Sequence, residues 1–212
     1  MSETSALTIV AEPAVGYREN LYFRGVIMQR VRESITVKRR LLADEAVDAL
    51  ARLADEVINS VREGGKLILF GNGGSAADAT HLAAEFVGRF AFDRAPMPAL
   101  SLSDNASSMT AIGNDYAYGL TFARQIQAFG APGDVAIALS TSGSSTNVLS
   151  AVKAARDAGM FTVAFTGSNG VELASLADLP LVIPSPSTAR IQEGYMLYAH
   201  IMCELVEQEL FG

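Results

Sequence analysis

Residues 66–90 read KLILFGNGGSAADATHLAAEFVGRF, and their order decides the fold. An apolar run, Lys66–Phe70, is too short for a helix and is followed at once by Gly71-Asn72-Gly73-Gly74-Ser75; a helical pattern then opens near Ala76 and runs to Phe90. Strand, glycine loop and helix in that order make half of a βαβ unit. The same rhythm continues down the chain. Pro98–Leu102, Val135–Leu139, Phe161–Phe165 and Leu179–Ile183 read as strands buried on both faces. Helices are expected at about Ala106–Ile112, Leu120–Phe129, Thr146–Ala158, Val171–Leu176 and Thr188–Leu210. Parallel strands need crossover helices on the sheet faces, so the expected fold is α/β: a doubly wound, five-stranded parallel sheet flanked by helices.

Upstream, Val26–Val61 carries two amphipathic helices meeting near Asp44, and Gly64-Gly65 ends the second. Residues 1–25 lack a sustained period and are read as an N-terminal extension to a single domain over 26–212. Within the extension ENLYFRG (Glu19–Gly25) lies one residue from a common viral-protease tag site and is set aside as a cloning scar or chance.

Composition narrows the function. The 212 residues carry 16 Lys plus Arg against 23 Asp plus Glu, a formal charge of −7, which disfavours a nucleic-acid groove. One cysteine excludes a disulfide framework and a Cys-rich zinc module. No apolar run reaches membrane-spanning length and no signal peptide opens the chain, so a cytoplasmic protein free of membrane is expected.

In a doubly wound sheet, ligands bind beyond the carboxyl ends of the strands. Two loops there stand out. Gly71–Ser75 offers Asn72, Gly73, Gly74 and Ser75 at a helix start, where backbone N–H groups close round an anion. Ser140-Thr141-Ser142-Gly143-Ser144-Ser145 leaves the third strand and supplies five hydroxyls, enough acceptor partners for a phosphate monoester without lysine. The plainer reading is that both merely form tight turns and caps. A dinucleotide fingerprint is met only loosely, because the acid it requires comes late, at Asp104, and no Gly-Lys-Ser/Thr follows either loop.

His81 and Glu85 stand four apart and share one helix face, a spacing that suits two ligands of one metal, or a ligand and a base. It also suits an ordinary surface pair. His200 falls inside the last helix, eight residues after Gln192.

Taken together, Gly71–Phe90, TAIGNDY (Thr110–Tyr116), STSGSSTNV (Ser140–Val148), FTG (Phe165–Gly167) and ARIQEGYMLYAHIMCELVE (Ala189–Glu207) resemble the sugar isomerase (SIS) family, in its phosphoheptose isomerase branch. The resemblance runs from about residue 26 to the end and implies the SIS fold. The activity implied is conversion of sedoheptulose 7-phosphate to D-glycero-D-manno-heptose 7-phosphate, an aldose–ketose isomerisation toward nucleotide-activated heptose. It further implies a homotetramer with active sites between subunits, and zinc in the site. Position by position it makes Glu85 the general base and His200 the general acid. His81, Glu85, Gln192 and His200 become the metal ligands, while Ser75, Ser140, Thr141, Ser142 and Ser145 become the phosphate grip. Asn72, Arg89 and Gln192 face the substrate. Proton transfer between adjacent carbons through an enediol does need a carboxylate for the C–H and an acid or metal for the oxygen.

Two positions depart from many relatives. Asn105 replaces an aspartate, with Asp104 one step earlier, so either could meet the sugar hydroxyls; Ala189 stands where an acidic residue precedes Arg190-Ile191-Gln192. The competing functions are a non-catalytic SIS regulator that binds a replication initiator, which would have no need of the His81, Glu85, Gln192 and His200 set, and an isomerase of another phosphosugar. Because Gln192 and His200 lie about 12 Å apart along a continuous helix, joint coordination requires either an irregular helix start near Gln192 or a neighbouring subunit.

Overall fold

The computed structural model describes residues 21–212. Two helices, α1 (Leu21–Arg40) and α2 (Asp44–Arg62), precede the alternating part: β1 (Leu67–Gly71), α3 (Gly74–Val87), β2 (Ala99–Ser101), α4 (Ala106–Asp115), a 3-10 turn (Tyr118–Leu120), α5 (Ala123–Phe129), β3 (Val135–Ser140), α6 (Thr146–Asp157), β4 (Phe161–Gly167), α7 (Val171–Leu176), β5 (Leu179–Ile183) and α8 (Thr188–Phe211). The five strands are all parallel in the order β2-β1-β3-β4-β5. The expected α/β class and five-stranded sheet are what the chain forms.

Burial explains why β1 carries no polar alternation. Leu67 and Leu69 face a core shared with α2, α3 and α8, whereas Ile68 and Phe70 face a second core built with α5 and α6. Both faces are covered by helices, so every position must be apolar. The expectation of two-sided burial fails at β5. There Leu179, Leu181 and Ile183 are buried while Pro180 and Val182 are exposed, because an edge strand in this sheet is covered on one side only. Pro180 suits that edge, since it has no N–H to donate to a further strand. At the opposite edge β2 has only Ser101 fully buried.

α2 buries Leu50, Leu53, Ala54, Val57 and Ile58 on one stripe, as its period requires. α1 starts at Leu21, inside the stretch expected as an extension; the remainder of that extension, 1–20, lies outside the described residues. α1 is tied to α8 by Ser34, whose Oγ donates to Glu193 at 2.6 Å. Among the described residues no helix is long and apolar enough to cross a membrane.

Candidate active site

Strand order locates the site. β1 leads to β2 on one side, and β3 to β4 and β5 on the other, so the topological switch lies between β1 and β3. The loops leaving these two strands are the two singled out in the sequence. Asn72 and Asn147 join them by a reciprocal amide pair at 2.8 and 2.9 Å, and Tyr118 donates to Asn72 Oδ1 at 3.0 Å. Asn72, expected to face substrate, therefore spends much of its amide on holding the loops together.

Gly73 is the N-cap of α3 with φ +55, a conformation that glycine tolerates. In the second loop Gly143 has φ +64, and a Cβ there would lie 2.4 Å from Gly170 Cα, so the serine-rich turn can close only with glycine at this point. Ser145 caps α6 without a side-chain hydrogen bond, so its hydroxyl is not spent on the helix. Thr141, Ser142 and Ser144 line a cleft of about 400 Å³ whose opposite wall holds Asn169 and Thr188, two residues the sequence reading did not single out. Ser145 lines an adjoining cleft of about 520 Å³ with Asn72 and Tyr118. Ser140 is buried, its Oγ accepting from Gly143 N at 3.2 Å. A larger cleft, about 640 Å³, lies between α1 and the start of α8 and includes neither loop and neither histidine.

α3 and α8 lie side by side and bring three of the expected residues together. His81 Nε2 and His200 Nε2 are 3.0 Å apart, and His81 Nε2 is 3.4 Å from Glu85 Oε1. Phe90 packs against the His200 ring. Arg89 is exposed and makes no hydrogen bond or ion pair among the described residues.

Gln192 is not with them. α8 is continuous from Thr188, which removes the irregular helix start as an explanation, and the Gln192 amide lies over Gly74, where a Cβ would be 2.4 Å from its Nε2. Of the two sugar-facing candidates, Asn105 caps α4 by accepting from Ser108 N at 3.0 Å, while Asp104 accepts from Thr80 Oγ1 at 2.5 Å. Ser75 is buried, and its hydroxyl meets Tyr195 at 3.0 Å.

A clamp behind the histidine pair had no signal in the sequence. Glu207, on α8, accepts from the N–H groups of Phe90 and Ala91 at 2.8 and 2.6 Å and from Arg94 Nε at 3.0 Å. Arg94 in turn donates to the Phe86 and Glu85 carbonyls at 2.7 and 2.8 Å, satisfying the open end of α3. Burial alone would raise the Glu207 pKa; the Phe90 and Ala91 N–H groups and the Arg94 guanidinium outweigh it and hold the carboxyl below the usual glutamate range. The clamp ties the end of α3 that carries Glu85, and the turn that carries Arg89, to α8, the helix of His200.

As a zinc site the arrangement is incomplete. Two ligands of tetrahedral zinc lie about 3.3 Å apart when each bond is about 2.05 Å, so the two histidines fit two corners. Among the described residues no group of three or more His, Cys, Asp or Glu could hold a metal, and the Gln192 amide lies against Gly74 at the start of α3.

Comparison with known proteins settles the family. A SIS domain model matches residues 32–167. A phosphoheptose isomerase of Burkholderia pseudomallei (strain K96243) is 51% identical over 187 residues, covering 88% of this chain and 95% of the relative. The chain belongs to the phosphoheptose isomerase family of SIS-domain proteins. A phosphoheptose isomerase of Roseiflexus sp. (strain RS-1) is 50% identical over 185 residues, 87% of this chain and 93% of the relative. Among solved structures, the phosphoheptose isomerase of Neisseria gonorrhoeae superposes with TM-score 0.82 at 38% identity, covering 88% of this chain and 99% of that one. That of Francisella tularensis gives 0.84 at 33%, covering 88% and 98%.

Proposed function

We propose that this protein interconverts sedoheptulose 7-phosphate and D-glycero-D-manno-heptose 7-phosphate through a 1,2-enediol. The observation that carries the reading is the His200, His81 and Glu85 line across α3 and α8, at 3.0 and 3.4 Å, in a chain half identical to phosphoheptose isomerases. Glu85 takes the proton from C1 of the ketose while His200 protonates the C2 oxygen. The enediol then loses its O1 proton to His200 and receives at C2 the proton held by Glu85, leaving an aldehyde at C1. Ser140–Ser145 and the α3 N-terminus hold the phosphate end, and Asp104 and Arg89 serve the sugar. Gly74 and His81 are seven residues apart on α3, about 10 Å of rise, which suits an extended seven-carbon chain with its phosphate at the helix start. His81, Glu85, Gln192 and His200 would hold a zinc ion, and zinc bound there would polarise the substrate oxygen. Gln192 belongs with the substrate-binding residues of its own chain.

The assembly reading is a homo-oligomer, expected as a tetramer. It is supported by Ile27, Met28, Val31 and Ile35, which leave an exposed apolar stripe along α1, a surface that a second copy would bury. Incubation of the purified protein with sedoheptulose 7-phosphate, followed by NMR, tests the activity. An aldose heptose 7-phosphate is expected, and conversion only of hexose or pentose phosphates would refute the substrate assignment.

A further inference from the structure

The cleft of about 640 Å³ between α1 and the start of α8 is separate from the catalytic groups: of the residues that line it, only Pro186 also borders the clefts of the Ser140–Ser145 loop. Its α1 wall is the basic part of an acidic protein. Leu21–Arg40 holds six of the 16 Lys plus Arg and one of the 23 Asp plus Glu, so this helix is formally +5 while the rest of the chain sums to −12. Four arginines line the cleft. Two of them are already paired: Arg30 with Glu33, and Arg190 with Glu193 while it also donates to the Arg30 carbonyl at 2.6 Å. Arg32 and Arg40 are exposed, and their guanidinium groups have no hydrogen-bond or ion-pair partner among the described residues, which leaves two uncompensated positive charges in the cleft wall. The α8 side adds further donors. Arg190 Nε is the one buried side-chain nitrogen or oxygen without a partner among the described residues. Ser185 is 5% exposed, and its Oγ accepts from Ser187 N at 3.1 Å while its own proton is given to no acceptor among the described residues. Ser187 stands at the N-cap of α8 without spending its hydroxyl on the helix.

Guanidinium and hydroxyl donors in excess of acceptors suit an anion, and guanidinium groups match phosphate geometry. Arg32 and Arg40 lie eight residues apart, about 12 Å of rise along α1, a spacing that suits two phosphates on one molecule. The cleft has the size of a small-molecule site, and no aromatic side chain among the described residues lines it to stack a base. We propose that it is a second, non-catalytic binding site for a sugar bisphosphate, whose two phosphates meet Arg32 and Arg40 and whose hydroxyl-bearing chain meets Ser185 and Ser187. The apolar stripe of Ile27, Met28, Val31 and Ile35 lies about 170° round α1 from the cleft-lining Gln29, Glu33, Thr36, Val37 and Arg40, so a second copy seated on the stripe leaves the cleft open. The site stands independently of the isomerase reading.

Calorimetric titration of the full chain at low salt with two probes, fructose 1,6-bisphosphate and inorganic phosphate, tests this. In the double variant Arg32→Ala/Arg40→Ala the bisphosphate should bind about ten- to a hundredfold more weakly, the size of two lost charge-assisted contacts. In Ser142→Ala/Ser145→Ala, which impairs the phosphate loop, this binding should stay within twofold of wild type. Inorganic phosphate should bind wild type at least about tenfold more weakly than the bisphosphate, since it meets one arginine at a time. Both arginines are exposed, so their double variant should fold, sediment as wild type does and keep kcat and KM within twofold. Bisphosphate affinity unchanged by loss of the arginines, or lost instead in the serine variant, would overturn the proposal, as would a wild type that does not bind the bisphosphate. Inorganic phosphate binding as tightly as the bisphosphate would overturn the two-phosphate assignment. A shift in sedimentation together with lost binding would assign the arginines to a contact between copies and overturn the site. A wild type that binds the bisphosphate as described but does not isomerise sedoheptulose 7-phosphate would refute the catalytic reading and leave this one standing.

Discussion

Replacing Glu207 by alanine removes the acceptor on which the ends of α3 and α8 converge. The side chains of Glu207 and Arg94 are each 1% exposed, so neither solvent nor another carboxylate can take over. The variant would leave a buried guanidinium without its counter-charge and the Phe90 and Ala91 N–H groups without their acceptor. Removing one partner of a buried ion pair typically costs about 3–5 kcal/mol. For a chain of this length each kcal/mol moves Tm by about 2–4 °C, so Tm should fall by about 6–20 °C. The assay is thermal unfolding followed by circular dichroism, at one fixed protein concentration because an oligomer's Tm depends on it. Glu207→Gln, which keeps one acceptor oxygen, should fall between wild type and alanine. A loss below about 1 kcal/mol in Glu207→Ala would show that water or a rearranged Arg94 replaces the clamp, and would refute its role in fixing the Glu85 end of α3 against α8.

The same group governs acid stability. Because the folded state depresses the Glu207 pKa, its contribution is complete above the ordinary glutamate range, about 4.3, and is lost as pH falls through the folded value; Tm measured between pH 7 and 3 should drop less steeply in Glu207→Gln. Ser142→Ala and Ser145→Ala should raise KM for the phosphosugar more than they lower kcat, since phosphate is held in both ground and transition states; steady-state kinetics would count against the loop if kcat alone fell. The Cys203 thiol is pushed up to about 12 by burial and by the nearby Glu85 and Glu207 charges, so it should resist thiol reagents at pH 8 in the native protein and react fully once unfolded; rapid native labelling would contradict its burial.

The fold was legible because its signals are local. Five short apolar runs and the glycine loop between Phe70 and Ala76 are enough for a parallel α/β sheet, and the error at β5 arose because alternation within Leu179–Ile183 is masked when the exposed positions are themselves Pro180 and Val182. The site was half legible. His81 and Glu85 share a face by spacing alone, but their meeting with His200 is 119 residues distant in sequence and came only through family resemblance. Tyr195, Arg94 and Glu207 went unnoticed for a physical reason. Each looks like an ordinary solvated or core residue until tertiary packing decides which polar atoms are shut away from water together.

Proton transfer by Glu85 is the centre of the account, and it is tested most directly by running sedoheptulose 7-phosphate in D₂O with wild type and Glu85→Gln, then reading the aldose product by NMR. Wild type should form the aldose with deuterium at C2, delivered from the exchanged carboxyl. Glu85→Gln should lose about a hundred- to ten-thousand-fold in rate while still binding inorganic phosphate. Near-normal turnover by Glu85→Gln would contradict an enediol formed by this carboxylate.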